Sequence, residues 1–235
     1  MVDAGTNWWR RDAAVALFGL LLLLGWDASG ADLPLSRLFG DVDGFALRND
    51  WLVEHLLHDG IARLLHGVFV LLGVNVLFAL PVIGDVPRAQ RLGWWLMSLL
   101  CALVISLLKH KSQISCPWNF AEFGGSAHKL AHLSFAAWRG AGDGGPGHCF
   151  PAGHVSNAFA LIGGTFVLRS VSLRVSRSWL VAVCLLGVLL GLTQLVRGAH
   201  FASHSLWTAW ICWTLSALLW HSREMVPRFG KLRTG

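Results

Sequence analysis

The chain has 235 residues, of which 54% are hydrophobic and 14% charged, with a mean hydropathy of +0.56. That apolar share exceeds what ordinary soluble domains carry and points to an integral membrane protein. The net charge of +6 and the pI near 9.6 do not signal nucleic acid, because the basic residues lie in short blocks between apolar runs rather than on one soluble face.

Six apolar runs follow one another at 13–26, 64–83, 92–108, 154–168, 179–196 and 205–220. Several fall short of the roughly 20 residues that a full span needs. Their polar ends therefore extend the helices, or the bilayer thins around them. The expected fold is all-α, a six-helix transmembrane bundle forming a single domain over 1–235. The first run has a second reading: Arg10 and Arg11 before it and ASGA after it resemble a secretory signal with a small-residue cleavage site. Both readings export the segment that follows. Residues 45–66, FALRNDWLVEHLLHDGIARLLH, set Trp51, Leu52, Leu56, Ile61, Leu64 and Leu65 at near-helical spacing among charges. They read as an amphipathic helix lying in the outer interface, or as an early start to the second span. The tryptophan pairs Trp8–Trp9 and Trp94–Trp95 read as interfacial anchors.

Charge sets the expected topology. With a cytoplasmic N-terminus, segments 1–12, 84–91, 169–178 and 221–235 lie inside and carry 11 basic residues: Arg10, Arg11, Arg88, Arg91, Arg169, Arg174, Arg177, Arg223, Arg228, Lys231 and Arg233. Against them stand only Asp3, Asp12, Asp85 and Glu224. The remaining 8 basic and 9 acidic residues fall on the outer side. This positive-inside pattern puts both termini in the cytoplasm and exports the long loop 109–153 and the short loop 197–204.

Three chemically equipped stretches fall on that outer side: KHKSQISCPW (109–118), PAGH (151–154) and QLVRGAHFASH (194–204). Lys109 and Arg197 are cations at the membrane boundary, where an anion is a better partner than poor solvation. Ala152, Gly153 and His154 open an apolar helix, and backbone N–H groups there form a ready anion cradle. A phosphate suits both. His200 and His154 provide two imidazoles, one to attack phosphorus and one to protonate a leaving oxygen. His204, four residues after His200, is placed to steady it.

In these residues the chain resembles the type 2 phosphatidic acid phosphatase superfamily of membrane lipid phosphatases, whose signature is K-x(6)-R-P, P-S-G-H and S-R-x(5)-H-x(3)-D. All three motifs appear in order, and the six-helix count agrees. The resemblance implies that Lys109 binds phosphate, Pro117 is the first-motif proline, His154 is the general acid and His200 is the nucleophile forming a phosphohistidine. Four positions depart from the pattern. Cys116 replaces an arginine, Ala152 a serine, Gln194 an arginine and His204 the aspartate. Arg197, three residues beyond Gln194 on the same helical face, can still reach the same phosphate. A neutral imidazole at position 204 can fix a tautomer but cannot offset an imidazolium charge as a carboxylate does, so Glu122 or Asp143 becomes a candidate for the missing charge. If the motifs share one phosphate, Cys116 and Cys149 are neighbours, and an oxidising compartment permits a disulfide between them. Cys101, Cys184 and Cys212 read as small packed hydrophobes. The glycine-rich stretch 140–148 reads as a flexible loop beside the site, and His55, His58, His66, His110, His128, His132, His148 and His221 receive no role.

The resemblance thus implies a phosphatase acting on a phosphomonoester or pyrophosphate of a lipid: undecaprenyl pyrophosphate, phosphatidylglycerophosphate, phosphatidic acid or lipid A. The site would face the periplasm from a bacterial inner membrane, with no metal or other cofactor, and the phospholipid or polyprenyl phosphate would be its partner. Three other classes stay open: a lipid-to-lipid phosphotransferase, a metal-binding or metal-transporting protein using His200, His204 and Cys116, and an inactive lipid-binding protein.

Overall fold

The structure is a computed structural model describing residues 7–78 and 86–225. Helix α1 (Trp8–Ser29) closes at Gly30, whose positive φ of 71° gives the left-handed cap that glycine adopts without cost. A short α2 (Asp32–Ser36) and a two-residue hairpin of β1 (Gly40–Asp41) and β2 (Gly44–Phe45) follow. The Asp50 carboxylate then accepts the Val53 N–H at 3.0 Å and starts a wide π-helical stretch, Leu52–Gly60. It runs without a break into α3 (Ile61–Phe78). Of the two readings of 45–66, the early start of the second span therefore describes the backbone from residue 51 onward. Phe45 lies outside the helix in an aromatic cluster with Phe120, Phe123 and Phe201.

Helix α4 (Arg88–Lys111) carries the chain to a loop holding two 3₁₀ turns, Pro117–Asn119 and Ala121–Phe123, and a short α5 (Phe135–Trp138). The fourth apolar run is α6 (Gly153–Phe159), a 3₁₀ turn Ala160–Gly163 and α7 (Gly164–Leu168). Helices α8 (Leu173–Val196) and α9 (Ala202–Met225) complete the described chain. The predicted positions 79–83 of the second span, the acidic residues Asp3 and Asp85, and the basic residues Arg228, Lys231 and Arg233 lie outside the described residues.

Among the described residues, α1, α3, α4 and α8 are long and apolar enough to cross a membrane. Their outer faces expose Leu17, Phe18, Leu21 and Leu22 on α1 and Val181, Leu185, Val188 and Leu192 on α8. Such a surface is stable against lipid, and the molecule is an all-α transmembrane bundle. Helix α9 spans 24 residues, about 36 Å at the helical rise, though its tryptophans, serines and histidines dilute its hydropathy. The run Gly153–Leu168 is shorter and almost wholly buried, so it forms the axis of the bundle rather than a lipid-facing span. At Gly164 a Cβ would collide with the rings of Trp94 and Trp179, which meet edge to face at 4.9 Å. Trp94 is thus a core residue, contrary to its reading as an interfacial anchor.

One end of the bundle is tied by charge. Asp12 of α1 receives both Arg169 guanidinium nitrogens, at 2.6 and 2.7 Å, and His221 Nε2 of α9 at 2.9 Å. Arg169 also lies over the Trp8 ring at 4.5 Å. Helix α1 is further bound to α9 where Trp210 Nε1 donates to the Ala16 carbonyl at 2.7 Å. These contacts support the spanning reading of the first run over the cleaved-signal reading. Asp12, Arg169 and His221 all come from segments assigned to the same side by charge. Because Asp12 is buried, removing it leaves a cation without its partner. Asp12→Ala is expected to cost about 3 kcal/mol, read as a lowered unfolding temperature in detergent, with Arg169→Ala adding little on top.

Candidate active site

Lys109 sits in the last turn of α4, where a cation suits the negative end of the helix dipole. Its side chain reaches across to the first residue of α6. A Cβ on Gly153 would stand 3.3 Å from Lys109 Cδ and 3.4 Å from Nζ, so glycine there leaves room for the ammonium group at that helix start. His154 is the second residue of α6 and is half-buried.

The loop between α4 and α6 is bound in place. Cys116 and Cys149 form a disulfide, as expected from the shared-phosphate argument. Cys149 N–H donates to the Ile114 carbonyl at 2.9 Å, and His148 N–H to the Ser112 carbonyl at 2.8 Å. The glycine-rich stretch 140–148 is not loose. Its Asp143 is buried and accepts Ser115 N–H at 2.6 Å, Ser115 Oγ–H at 2.8 Å and Gly145 N–H at 3.0 Å. Asp143 is spent holding the loop and does not supply the missing charge.

Gly198, at a φ of 70°, turns the chain sharply after α8, and the Gln194 carbonyl accepts the Ala199 and His200 N–H groups at 2.9 and 3.3 Å. This places His200 just ahead of α9 and His204 in its first turn. The two Nδ1 atoms are 3.3 Å apart, within hydrogen-bond reach. His200 is also 3.4 Å from Cys149 Sγ, so the disulfide touches the histidine pair. His204 has no solvent exposure and is ringed edge to face by Phe150, Phe201 and His132 at 5.3, 5.4 and 5.3 Å.

Two expected phosphate contacts differ. The Ala152 N–H donates to the His204 carbonyl at 3.2 Å, and the Ala152 carbonyl accepts Thr208 Oγ1–H at 3.1 Å. Ala152 therefore ties α6 to α9, and the helix start offers Gly153 and His154 as its leading N–H groups. Arg197 is only 7% exposed; its Nε donates to the Arg48 carbonyl at 3.0 Å and its Nη2 pairs with Glu54 at 3.2 Å. Both of these donors are thus committed to the segment before α3. Gln194 is buried, and its Nε2 has no hydrogen-bond partner among the described residues.

Sequence reasoning missed a neighbouring network. Ser203 Oγ donates to Asp32 Oδ2 at 2.5 Å, and Ser203 N–H to Asp32 Oδ1 at 3.1 Å. His132, assigned no role, has Nε2 3.4 Å from Ser203 Oγ and Nδ1 3.0 Å from Asp27 Oδ1. The only signal in the sequence was two acidic residues at the outer end of the first run. Against the metal reading, Cys116 and Cys149 are both in the disulfide, so neither thiolate is available as a ligand.

The model of the PAP2 superfamily matches residues 92–228, which include every motif described above. The chain belongs to the PAP2 superfamily. As a PAP2 protein it also resembles, in fold, a crystal structure of a transmembrane PAP2-type phosphatidylglycerolphosphate phosphatase from Bacillus subtilis. The TM-score is 0.56 at 21% identity, covering 93% of this chain and 98% of the other. No curated protein matches the sequence.

The disulfide closes a separation of 33 residues, which corresponds to roughly 3–4 kcal/mol of restricted unfolded-state freedom. The Cys116→Ala/Cys149→Ala double variant should lose stability of that order in thermal unfolding. Mass spectrometry of the unreduced wild type should find the two cysteines linked.

Proposed function

We propose that this PAP2 protein is a membrane lipid phosphatase working through a phosphohistidine. The observation that carries the reading is the 3.3 Å contact between His200 Nδ1 and His204 Nδ1. A neutral His204 accepting the His200 Nδ1 proton leaves the lone pair of His200 on Nε2, the atom that attacks phosphorus. The N–P bond forms as the P–O bond to the lipid breaks, and the leaving oxygen takes a proton from His154. Water then attacks phosphorus, gives a proton back to His154 and releases phosphate from His200. Lys109, the opening N–H groups of α6 and the remaining donors of Arg197 stabilise the charge that builds on the phosphoryl oxygens.

A lipid substrate is supported by the membrane setting of the bundle and by its PAP2 membership. The activity named for the Bacillus subtilis neighbour makes phosphatidylglycerophosphate the first lipid to test, followed by phosphatidic acid, undecaprenyl pyrophosphate and lipid A. The charge asymmetry of the loops and the disulfide in the exported segment support a periplasmic site in a bacterial inner membrane.

The test is release of inorganic phosphate from these lipids in detergent with EDTA present. Wild type should release phosphate and His200→Ala should release none above background. Lys109→Ala should lose about 100-fold in kcat/KM. Release that survives in His200→Ala would remove the nucleophile assignment. Transfer of phosphate to a second lipid, with none freed, would make the protein a phosphotransferase.

A further inference from the structure

We propose that Asp27, Asp32 and His132 form a binding site for a divalent transition-metal ion that pins the outer loop to α1 and α2. The site lies outside the three motifs, and the ion takes no part in the transfer of phosphate.

The three side chains come from three parts of the chain. Asp27 stands in the last turn of α1, Asp32 opens α2 and His132 belongs to the loop ahead of α5. One oxygen from each carboxylate and one ring nitrogen lie within 4.8 Å of one another. His132 and Asp32 are only 5% and 3% exposed, so the set is enclosed rather than a patch of solvated charge. Asp27 keeps 16% exposure, which gives an ion a way in. Two enclosed carboxylates need a counter-charge, and among the described residues no lysine or arginine pairs with either of them.

The hydrogen bonds show where the ion belongs. Asp27 Oδ1 is buried and has no hydrogen-bond partner among the described residues, although His132 Nδ1 stands 3.0 Å away. The ring nitrogen therefore does not direct a proton at that oxygen. On the other side of the ring, Ser203 Oγ gives its proton to Asp32 Oδ2 and so acts as an acceptor toward His132 Nε2, 3.4 Å away. This contact favours the tautomer with its proton on Nε2 and its lone pair on Nδ1. A lone pair and a carboxylate oxygen at that separation repel each other unless a cation touches both. Two ligands about 2.1 Å from one ion stand roughly 3 Å apart when they meet it at a right angle, which is the spacing of this pair.

The surroundings are those that orient metal ligands. Trp207 Nε1 donates to Asp27 Oδ2 at 3.1 Å, while Trp26 Nε1 and Ser203 N–H donate to Asp32 Oδ1 at 2.9 and 3.1 Å. A ligating histidine usually gives its other ring N–H to an oxygen, the part Ser203 plays here. One imidazole and two carboxylates suit Zn²⁺ or Mn²⁺, with water in the remaining positions. The ion stands beside the histidine pair without entering it, since the His132 ring meets His204 edge to face at 5.3 Å.

The test uses the full chain in detergent, stripped with EDTA, desalted and titrated with Zn²⁺ and then Mn²⁺. Wild type should hold one ion per chain by elemental analysis. Asp27→Asn and His132→Gln should each weaken binding about 100-fold or more, and Ser203→Ala about tenfold. His128→Gln, which removes an exposed histidine of the same loop, should bind as wild type does. No binding by wild type overturns the proposal, and equal binding by wild type, Asp27→Asn and His132→Gln means an adventitious ion only and overturns it too. Because a variant could lose the ion by losing its fold, 15N-histidine NMR of the wild type gives a second readout. Zinc should shift the His132 Nδ1 resonance and leave Nε2 protonated. Zinc that shifts other histidines and leaves His132 unmoved overturns the proposal. Neither readout needs turnover, so both stand apart from whether the chain releases phosphate.

Discussion

Two imidazoles almost without access to water, His200 and His204, share one hydrogen bond, and much of the outer half of the molecule serves to hold them in register. A single 3.3 Å contact is easily lost if either ring drifts by an ångström. The His204 ring is gripped edge to face by Phe150 and Phe201, and its carbonyl is tied to the Ala152 N–H. His200 lies on a short turn whose amides are bound back to Gln194, with the Cys116–Cys149 disulfide against its ring. Helix starts, a covalent cross-link and aromatic clamps thus act on the same two residues from three parts of the chain.

The buried axis Gly153–Leu168 explains why those parts can meet. A lipid-facing helix would need bulk on its outer side, whereas this one is enclosed by α4, α8 and α9 and uses small residues where neighbours press close. Gly164 admits Trp94 and Trp179, and Gly153 admits the Lys109 side chain. The same economy of volume sets the core of the membrane bundle at one end and leaves room for the Lys109 side chain at the other.

Much of this was legible in the sequence because it depends on local pattern. Apolar runs located the helices, and the four-residue spacing of His200 and His204 put the two imidazoles within reach of each other, as their 3.3 Å contact shows. What escaped reading depends on burial and on distant pairing. Hydropathy cannot separate a lipid-facing helix from a sheathed one, since both are apolar, so the axis and Trp94 looked like ordinary membrane features. Arg197 lay on the expected face, but its partner Glu54 comes from a segment that composition alone read as interfacial. Asp143 looked like part of a mobile glycine-rich loop because its bonds to Ser115 are long-range. Asp27, Asp32 and His132 belong to no motif, and no sequence spacing relates them.

The ion pair at the other end of the bundle has a consequence for biogenesis. Asp12 is separated from Arg169 by 157 residues, and His221 follows later still. During synthesis α1 enters the translocation machinery with a carboxylate that has no partner, and it stays so until α7 has been made. The Asp12 ion pair is therefore completed only once the later helices are present, which makes the order of chain emergence part of how this bundle closes.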